Sequence, residues 1–240
     1  MDDMVQISNH IFCEKFLINL DIKTGVLPNP YYDYPYMIIK NFLSNITCES
    51  ITAEIRTNQD IVEAKIKKRV GTKIDADINK NIRKTNIHKL NSIHELIYKD
   101  NFSKHQHDIE RFFNIALTTS TNIQALEYTK GSFYKQHSDD SSVLVKDNQV
   151  IGFLPVARQR KITTVLFTTS HSNTNSKDTF KGGELVFNYL YDKDGKKVSI
   201  NPQSGDMIVF LSNPYFTHEV LEVKKGYRVS LVQWHDAIID

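Results

Sequence analysis

Residues 128–139 read Tyr-Thr-Lys-Gly-Ser-Phe-Tyr-Lys-Gln-His-Ser-Asp, and they contain the only His-x-Asp or His-x-Glu sequence in the chain. The run Phe133–His137 is typical of a short β-strand, because aromatic residues pack well on a pleated surface. Residues i and i+2 of a strand project to the same face, so His137 and Asp139 are expected to point into one interior. The stretch therefore predicts a β core with two metal-ligating side chains on an inner face.

A second histidine and an arginine follow on later β-rich runs. His218 stands in Phe-Thr-His-Glu-Val, and Arg228 lies ten residues further on in Gly-Tyr-Arg-Val-Ser. Two imidazoles and one carboxylate are the ligands of a facial triad, which leaves open positions on a non-haem Fe(II) ion. Arg228 lies in an apolar run, where a buried guanidinium needs an anion and offers a fork that binds a carboxylate. The four residues together predict an iron site beside a carboxylate site.

Each of these residues also has an ordinary structural interpretation. Asp139 is followed by Asp-Ser-Ser at a predicted strand end and is compatible with a turn. Arg228 is compatible with a surface ion pair to any carboxylate. The metal site is favoured because His-x-Asp, Gly-Gly-Glu-Leu, Pro-x-x-Gly-Asp, the second histidine and the arginine occur in this order within the β-rich half.

The composition indicates an ordinary globular protein. The chain has 240 residues, of which 40% are hydrophobic and 24% charged, enough for one substantial core. A formal net charge of +2 is too small to predict a nucleic-acid or anionic-membrane partner. No apolar run reaches the length of a membrane span, and the first residues lack the pattern of a signal peptide. Cys13 and Cys48 form no disulfide or metal spacing, which favours a reducing, cytoplasmic location.

Turn residues and short apolar runs divide the chain at about residue 120. Beyond it, β-rich runs alternate with turn signals such as Gly182-Gly183, a pattern typical of a sandwich or barrel. We therefore expect an α+β fold with a jelly-roll core in a single domain of residues 1–240, with residues 1–120 as helical support and 121–236 as the core. The predicted strands are Ile123–Tyr128, Phe133–His137, Ile162–Thr168, Glu184–Leu190, Met207–Leu211, His218–Val223 and Tyr227–Trp234.

The first 120 residues carry weaker patterns. A strand is expected at residues 36–40, followed by a helix capped by Ser44 or Asn45 with Cys48, Ile51 and Ile55 on its buried face. Residues 61–80 are rich in Lys and Asp and are compatible with an exposed loop or a hairpin. Residues 93–117 are predicted to be helical, in two pieces, with a buried stripe of Leu96, Ile97, Phe102, Ile109, Phe112, Phe113 and Leu117.

The other histidines give no metal-binding pattern. His105 and His107 lie in a predicted helix, where residues two apart do not share a face. His235 follows the last predicted strand and is expected to be exposed. The chain also lacks a glycine-rich phosphate loop, a Cys-x-x-Cys motif and a Gly-x-Ser-x-Gly motif. The predicted iron site is therefore the candidate for catalysis.

In the order and spacing of its motifs, the C-terminal half resembles the prolyl 4-hydroxylase-like branch of the 2-oxoglutarate/Fe(II) dioxygenases, and within it the bacterial hydroxylases. The resemblance covers about residues 120–236, with fainter similarity at residues 41–48 and 82–90. It implies a double-stranded β-helix with helices packed on one sheet. The matching motifs are Tyr128-x-x-Gly131-x-Phe133-Tyr134-x-x-His137-x-Asp139, Gly182-Gly183-Glu184-Leu185, Pro202-x-x-Gly205-Asp206, His218-Glu219-Val220 and Gly226-x-Arg228-Val229-Ser230 with Trp234.

Carried over position by position, the resemblance assigns roles to single residues. The iron ligands are matched by His137, Asp139 and His218, and the partner of the distal 2-oxoglutarate carboxylate by Arg228. Residues at the cosubstrate pocket are matched by Tyr128, Thr163 and Trp234, and an arginine near the substrate entrance by Arg160.

The chain departs from the family pattern in two places. Some members carry a tyrosine that hydrogen-bonds the distal carboxylate, where this chain has Phe167. That contact is expected to come from Tyr128 or Thr163, or to be absent. Residues 147–152 form an insertion whose effect on the substrate entrance the resemblance does not define.

The resemblance implies an oxidoreductase that hydroxylates a C–H bond with Fe(II), 2-oxoglutarate and O2, with ascorbate as a stimulant. The favoured substrate is a prolyl residue in a peptide or protein. A free amino acid or another small molecule is the second interpretation, and a non-catalytic jelly-roll binding module is the third. Neither a nucleic-acid partner nor a membrane is expected.

Overall fold

The computed structural model describes residues 36–58, 62–63, 66–70, 73–77, 81–146, 149–174, 177–192 and 194–239. Cys13 and the N-terminal residues up to 35 lie outside them. The first described elements are β1 Met37–Ile39, α1 Asn45–Thr57, β2 Val62–Glu63, β3 Ile66–Val70, β4 Lys73–Asp77, β5 Arg83–Lys84, β6 Asn86–His88 and α2 Ser92–Phe113.

The elements that follow α2 are almost all strands. They are β7 Ile115–Ser120, β8 Gln124–Tyr128, β9 Phe133–His137, β10 Ser141–Lys146, β11 Gln149–Pro155, β12 Ile162–Phe167, β13 Ser170–His171, β14 Thr179–Gly182, β15 Leu185–Tyr191, β16 Lys197–Ile200, β17 Met207–Leu211, β18 His218–Val220, β19 Val223–Gly226 and β20 Arg228–Ile239, with one 3₁₀ turn at Pro214–Phe216. None of the described helices is apolar and long enough to cross a membrane.

Most of the strands belong to two antiparallel sheets. The larger sheet has the order β1-β17-β12-β20-β8-β6-β2, with β7 also paired to β20, and the smaller has the order β16-β15-β18-β9-β5. Their inner faces pack together, since the rings of Phe187 on β15 and Phe210 on β17 lie 5.1 Å apart. The described chain is therefore mostly β-sheet with few helices, and its core lies between two sheets.

Strand β12 is buried on both of its faces. The side chain of Thr163 points between the two sheets, where its hydroxyl donates to Asp139 at 2.7 Å. The next residue, Thr164, points the opposite way and contacts the hydroxyl of Tyr98 on α2 at 3.0 Å. The helices therefore cover the outer face of the larger sheet, and its inner face carries the site described below.

Helix α1 begins and packs as predicted. Ser44 is the N-cap, and its hydroxyl accepts a hydrogen bond from the backbone N–H of Thr47 at 3.2 Å. The buried face carries Cys48, Ile51, Thr52 and Ile55. Burial raises the pKa of the free Cys48 thiol, so this cysteine is a small core residue rather than a reactive one.

Helix α2 differs from the prediction in length and in buried face. It is one continuous helix, because neither Gly nor Pro interrupts it and the Asn101 side chain donates within the helix, to the carbonyl of Ile97 at 2.8 Å. Residues 115–117 belong to β7 and are not helical. Leu96 is 66% exposed, although it was assigned to the buried stripe. The buried positions are His94, Tyr98 and Ile109, so the face includes polar residues that the aliphatic pattern ignored.

The strands predicted in the second half are present, with small shifts at their ends. Phe133–His137 and Met207–Leu211 have the predicted bounds. The run expected at 218–223 is divided between β18 and β19, and the last strand continues to Ile239. His235 consequently lies inside β20 and is fully buried, so its expected exposure was wrong.

Two segments left open by the sequence form hairpins. Strands β3 and β4 pair antiparallel within residues 61–80, as the hairpin alternative required. Strands β10 and β11 also pair antiparallel, and residues 149–152 of the insertion belong to β11. The second hairpin was not predicted, because residues 147–152 were interpreted only as an insertion, although Asp147-Asn148 is a turn signal in the sequence.

Candidate active site

Strands β9 and β18, together with the bend that follows β9, bring the three predicted metal ligands together. The strands pair antiparallel with His137 directly opposite His218. The carboxylate of Asp139 lies 3.7 Å from Nε2 of His137 and 4.0 Å from Nε2 of His218. The candidate ligand atoms all lie within 4.8 Å of one another. Among the described residues, this is the one group of three or more His, Cys, Asp or Glu side chains so arranged.

Backbone carbonyls orient both imidazoles. Nδ1 of His137 lies 2.9 Å from the carbonyl oxygen of Lys135, and Nδ1 of His218 lies 2.9 Å from that of Phe216. A carbonyl only accepts hydrogen bonds, so each Nδ1 carries the proton and donates. Each Nε2 then presents its lone pair towards Asp139, as a metal ligand must.

Asp139 is held at two points. Its Oδ2 accepts a hydrogen bond from the Thr163 hydroxyl at 2.7 Å, and its backbone carbonyl accepts one from Arg160 at 3.1 Å. Burial favours the neutral carboxyl, but the two imidazoles and the Thr163 hydroxyl outweigh burial and lower the pKa of Asp139. The group is therefore a carboxylate fixed in position between two nitrogen donors.

The surroundings of His137 keep its imidazole neutral. Burial lowers the pKa of His137 to about 3, and the neighbouring His218 adds to this effect. The ring of Tyr134 stacks on it, with centroids 3.5 Å apart. A neutral, stacked imidazole is ready to donate an electron pair to a metal.

Arg228 forms a second centre between β8 and β20. It is 1% exposed and stands opposite Tyr128, whose ring centroid lies 4.6 Å from the guanidinium carbon. One guanidinium nitrogen donates to Ser230 Oγ at 3.1 Å, while Nε has no hydrogen-bond partner. None of the described carboxylates forms an ion pair with Arg228. A buried cation with a free donor is costly without an anion, so this chamber is suited to bind a carboxylate.

Gly183 makes room for the arginine. Its φ is +67°, and a Cβ at this position would lie 2.8 Å from Val223 Cγ2 and 3.0 Å from Arg228 Cδ. Such contacts would displace the guanidinium or strain the turn. The Gly-Gly motif before β15 therefore shapes the chamber around Arg228.

The other predicted site residues surround these two centres. Thr163 contacts the Asp139 carboxylate and also lies 2.8 Å from the Ser212 hydroxyl. The guanidinium carbon of Arg160 lies 3.6 Å from the ring of Trp234, whose buried Nε1 has no partner. Phe167 lies 5.6 Å from the guanidinium carbon of Arg228 and brings no hydroxyl to that chamber.

Sequence reasoning missed Arg83 as a residue near the site. It is 8% exposed, and its guanidinium carbon lies 4.5 Å from the ring of Tyr134, which in turn stacks on His137. The pairing of β5 with β9 places Arg83 opposite Tyr134. This contact joins segments far apart in the chain, and no local pattern of residues indicates it.

The family match covers the part of the chain that holds both centres. Residues 123–236 match the family described as the 2OG-Fe(II) oxygenase superfamily, whose members use Fe(II), 2-oxoglutarate and O2. A search of curated proteins found no significant match.

Three solved structures have a similar fold at low sequence identity. A prolyl-4-hydroxylase from Pseudomonas putida is 18% identical with a TM-score of 0.58, covering 93% of this chain and 98% of that one. A viral collagen prolyl hydroxylase from Paramecium Bursaria Chlorella virus-1 is 19% identical with a TM-score of 0.56, covering 86% and 99%. A prolyl hydroxylase from Trichoplax adhaerens, in complex with a hypoxia inducible factor peptide fragment, is 17% identical with a TM-score of 0.55, covering 93% and 88%.

The family match and the geometry lead to the same assignment. The structural likenesses establish the fold, while the match over residues 123–236 establishes the class of enzyme. The His-Asp-His group lies inside the matched segment. Residues 123–236 are therefore a 2-oxoglutarate- and Fe(II)-dependent oxygenase domain that holds both centres.

Proposed function

We propose that this dioxygenase hydroxylates a C–H bond of a prolyl residue in a peptide or protein, at an iron held by His137, Asp139 and His218. The observation that carries the proposal is the pairing of this triad with a buried Arg228 that lacks a carboxylate partner among the described residues. The description of three structurally similar proteins as prolyl hydroxylases supports the choice of substrate.

The residues present fit the iron and its cosubstrate. Two neutral nitrogen donors and one carboxylate suit Fe(II), and they leave positions for further ligands. The orphaned Nε of Arg228 fits the distal carboxylate of 2-oxoglutarate, with Tyr128 and Ser230 beside it. When bound, iron with 2-oxoglutarate and O2 supplies an oxidative decarboxylation that gives succinate and CO2 and places an oxygen atom on the substrate carbon.

The protein side chains position and shield the reactants. In this proposal Asp139 holds the metal through its charge and takes no part as a general base. Thr163 fixes the carboxylate rotamer and lies at the edge of the cosubstrate pocket with Trp234. The aromatic rings around Arg228 exclude water, which strengthens its attraction for a carboxylate.

Two other functions remain alternatives to this proposal, each for its own reason. A free amino acid or another small molecule is a candidate substrate, because the site itself does not require a long peptide. A non-catalytic binding module is the remaining alternative, because a protein can keep the fold of an enzyme family without its catalytic activity. The intact ligand set, with both Nδ1 atoms committed to carbonyls, favours the enzyme.

The proposal extends to the whole chain. Residues 1–240 form one oxygenase domain, with a double-stranded β-helix at 121–236 and helical support before it. Its location is cytoplasmic, supported by the unpaired Cys48 thiol, and ascorbate stimulates its turnover. Its partner is a peptide, protein or small-molecule substrate, and it binds neither nucleic acid nor a membrane.

A single anaerobic experiment tests the iron and cosubstrate sites. Fe(II) and 2-oxoglutarate are added to the purified protein, and the metal-to-ligand charge-transfer band is measured before O2 is admitted and succinate is assayed. A band followed by succinate supports the enzyme, and mass spectrometry of peptides and amino acids for an added oxygen then identifies the substrate. If the folded protein gives neither the charge-transfer band nor succinate, the enzyme proposal is wrong and the binding module becomes the favoured function.

A further inference from the structure

A serine, a histidine and a glutamate meet where α1 packs against α2, on the side of the larger sheet opposite the iron site. Ser50 and Glu54 lie four residues apart on α1, which places them on the same face of that helix. His94 lies in the first turn of α2. Its Nε2 is 3.1 Å from Ser50 Oγ, and its Nδ1 forms a hydrogen bond with Oε2 of Glu54. These three residues form the serine site.

The partners of Glu54 fix the direction of the hydrogen bonds in the serine site. Its carboxylate accepts from the backbone N–H of Asn91 at 2.7 Å and from Asn91 Nδ2 at 2.8 Å, as well as from His94. A carboxylate only accepts, so Nδ1 of His94 carries a proton, and in the neutral imidazole Nε2 presents its lone pair. The Ser50 hydroxyl therefore donates to Nε2, and the imidazole is placed to take its proton.

The exposure of the three side chains suits a nucleophile and its base. Ser50 is exposed, whereas His94 is 8% exposed and Glu54 is half-buried. The hydroxyl is thus open to a molecule from solvent, while packing holds the imidazole in place. Asn91 adds to this, because its Oδ1 accepts a hydrogen bond from the backbone N–H of His94 at 2.8 Å. The geometry is that of a hydroxyl backed by an oriented imidazole and a carboxylate.

Ser50 differs from an ordinary serine on a helix surface. Ser103 on α2 is also exposed, and its hydroxyl donates to the carbonyl of Lys99 in its own helix at 3.0 Å. Ser50 instead contacts a basic nitrogen of another helix. Ile46 lies one turn before Ser50 on the same face of α1 and is 80% exposed, so it offers an apolar surface beside the hydroxyl.

We propose that the serine site hydrolyses small esters with apolar acyl chains, in a reaction separate from the iron chemistry. Ser50 is the nucleophile, His94 the base and Glu54 the residue that positions His94. Ser50 Oγ forms a bond to the acyl carbon while its proton passes to Nε2 of His94. The C–O bond of the ester breaks, and the imidazolium gives the proton to the departing alkoxide.

Water completes the reaction at the acylated serine. His94 takes a proton from the water molecule, whose oxygen adds to the acyl carbon. The bond between the acyl carbon and Ser50 Oγ then breaks, and His94 returns the proton to the serine. The products are a carboxylic acid and an alcohol, so the reaction needs neither an oxidant nor a cofactor.

Two probes test the serine site in the full-length protein. At about pH 8, where an ordinary histidine is neutral, the protein is treated with a fluorophosphonate, which reacts with activated serine hydroxyls. Mass spectrometry of its peptides then locates the adduct. Hydrolysis of p-nitrophenyl butyrate is followed by the release of nitrophenol. We expect an adduct at Ser50, and we expect the labelled protein to have lost its hydrolysis.

Four substitutions separate the roles of these residues. Ser50→Ala should lose both the adduct and the hydrolysis, whereas Ser103→Ala, the matched control, should behave like wild type. His94→Gln keeps a side chain that hydrogen-bonds but removes the base, so labelling should slow about a hundred-fold. Glu54→Gln should lower kcat for the ester about ten-fold and leave its KM unchanged, because Glu54 acts through His94.

Two results would contradict the serine site. The absence of an adduct at Ser50, or equal labelling of wild type and His94→Gln, would mean that the three residues only join the two helices. Hydrolysis that persists in Ser50→Ala would place the reaction elsewhere on the protein. Thermal unfolding shows whether each variant is folded. Ser50 and Ser103 are both exposed, so the comparison of their alanine variants decides the matter even if His94→Gln does not fold.

Discussion

Asp139 supplies the only negative charge among the three candidate ligands, and each of its neighbours acts on that charge. Replacing it with Ala leaves two neutral imidazoles, which bind Fe(II) far more weakly. We therefore expect Asp139→Ala to lose iron and with it all succinate formation, measured by metal analysis and by the succinate assay. Asp194→Ala, an exposed aspartate on the β15–β16 turn, is the control. Turnover with bound iron in Asp139→Ala would contradict the assignment.

Arg228 is expected to act on the cosubstrate and not on the metal. Arg228→Ala removes a charge-assisted contact to the distal carboxylate that is made equally before and during the reaction. The KM for 2-oxoglutarate should then rise roughly ten- to a hundred-fold, while kcat changes less. Succinate formation against 2-oxoglutarate concentration measures both, with the exposed Arg158→Ala as control. An unchanged KM would mean that the carboxylate binds elsewhere.

At the scale of single elements, the adjacent residues Thr163 and Thr164 of strand β12 point to opposite faces of the sheet and make different contacts. Thr163→Val removes the hydrogen bond to Asp139, and we expect iron affinity to fall about ten-fold with little loss of stability. Thr164→Val removes the contact with Tyr98 on α2, so we expect stability to fall by about 1 kcal/mol with iron affinity intact. Metal titration and urea unfolding of both variants check this. If both substitutions changed iron affinity and stability equally, the two faces of β12 would not have the separate roles assigned here.

Strand β20 carries a buried histidine that makes stability depend on pH. His235 stacks on Phe102 of α2, and burial lowers its pKa from 6.5 to about 4. The unfolded chain therefore binds a proton at higher pH than the folded one. The stability that the neutral ring contributes is fully present above pH 6.5 and is lost as the pH falls towards 4, by about 2 kcal/mol at about pH 5.

His235→Gln tests this, because glutamine keeps polar atoms near Ser120 and Thr164 without titrating. Urea unfolding of metal-free protein at about pH 7 and about pH 5 gives the change in stability for each protein. We expect wild type to lose about 2 kcal/mol more than the variant between these pH values. The comparison uses the change with pH, so a uniform loss from weaker packing does not affect it. Parallel losses would assign the pH dependence to other groups.

Elements were predictable where a local pattern specifies them. The cap at Ser44 and the i, i+3, i+7 spacing of Cys48, Ile51 and Ile55 lie within one helix, and α1 matched them. Helix α2 was misread because its buried face includes His94 and Tyr98, which are polar at their tips and bury only through tertiary partners. His235 was misread for the same reason, since its burial depends on Phe102 of a distant helix.

At the scale of the whole molecule, the order of motifs was enough to bring the site residues together. His137, His218 and Arg228 lie on strands whose alternation is visible locally, so their directions followed from periodicity. Asp139 lies in the bend after β9, and its closeness to His137 in the chain brings it to the site. The position of Arg83 near the site could not be predicted in this way, because only the pairing of β5 with β9 places it near Tyr134. Residues that approach the site through sheet topology can therefore be identified only from the structure, whereas the candidate ligands could be proposed from the sequence.

The site draws on both sheets, and this links ligand binding to global stability. His137 and His218 lie on β9 and β18 of the smaller sheet, whereas Arg228 lies on β20 of the larger one. A ligand that binds only the folded protein stabilises it by about 2.7 kcal/mol at a hundred times its Kd. For a chain of this size that corresponds to a rise in Tm of about 5 to 10 °C.

We therefore expect Mn(II), which occupies such a site without redox chemistry, to raise Tm, and 2-oxoglutarate to raise it further. The variants separate the two contributions because each removes one contact. Asp139→Ala should lose the shift from the metal, while Arg228→Ala should keep that shift and lose most of the one from 2-oxoglutarate. Thermal unfolding of the three proteins, each with metal alone and with both ligands, measures these shifts. Equal metal shifts in wild type and Asp139→Ala would place the bound ion outside the triad.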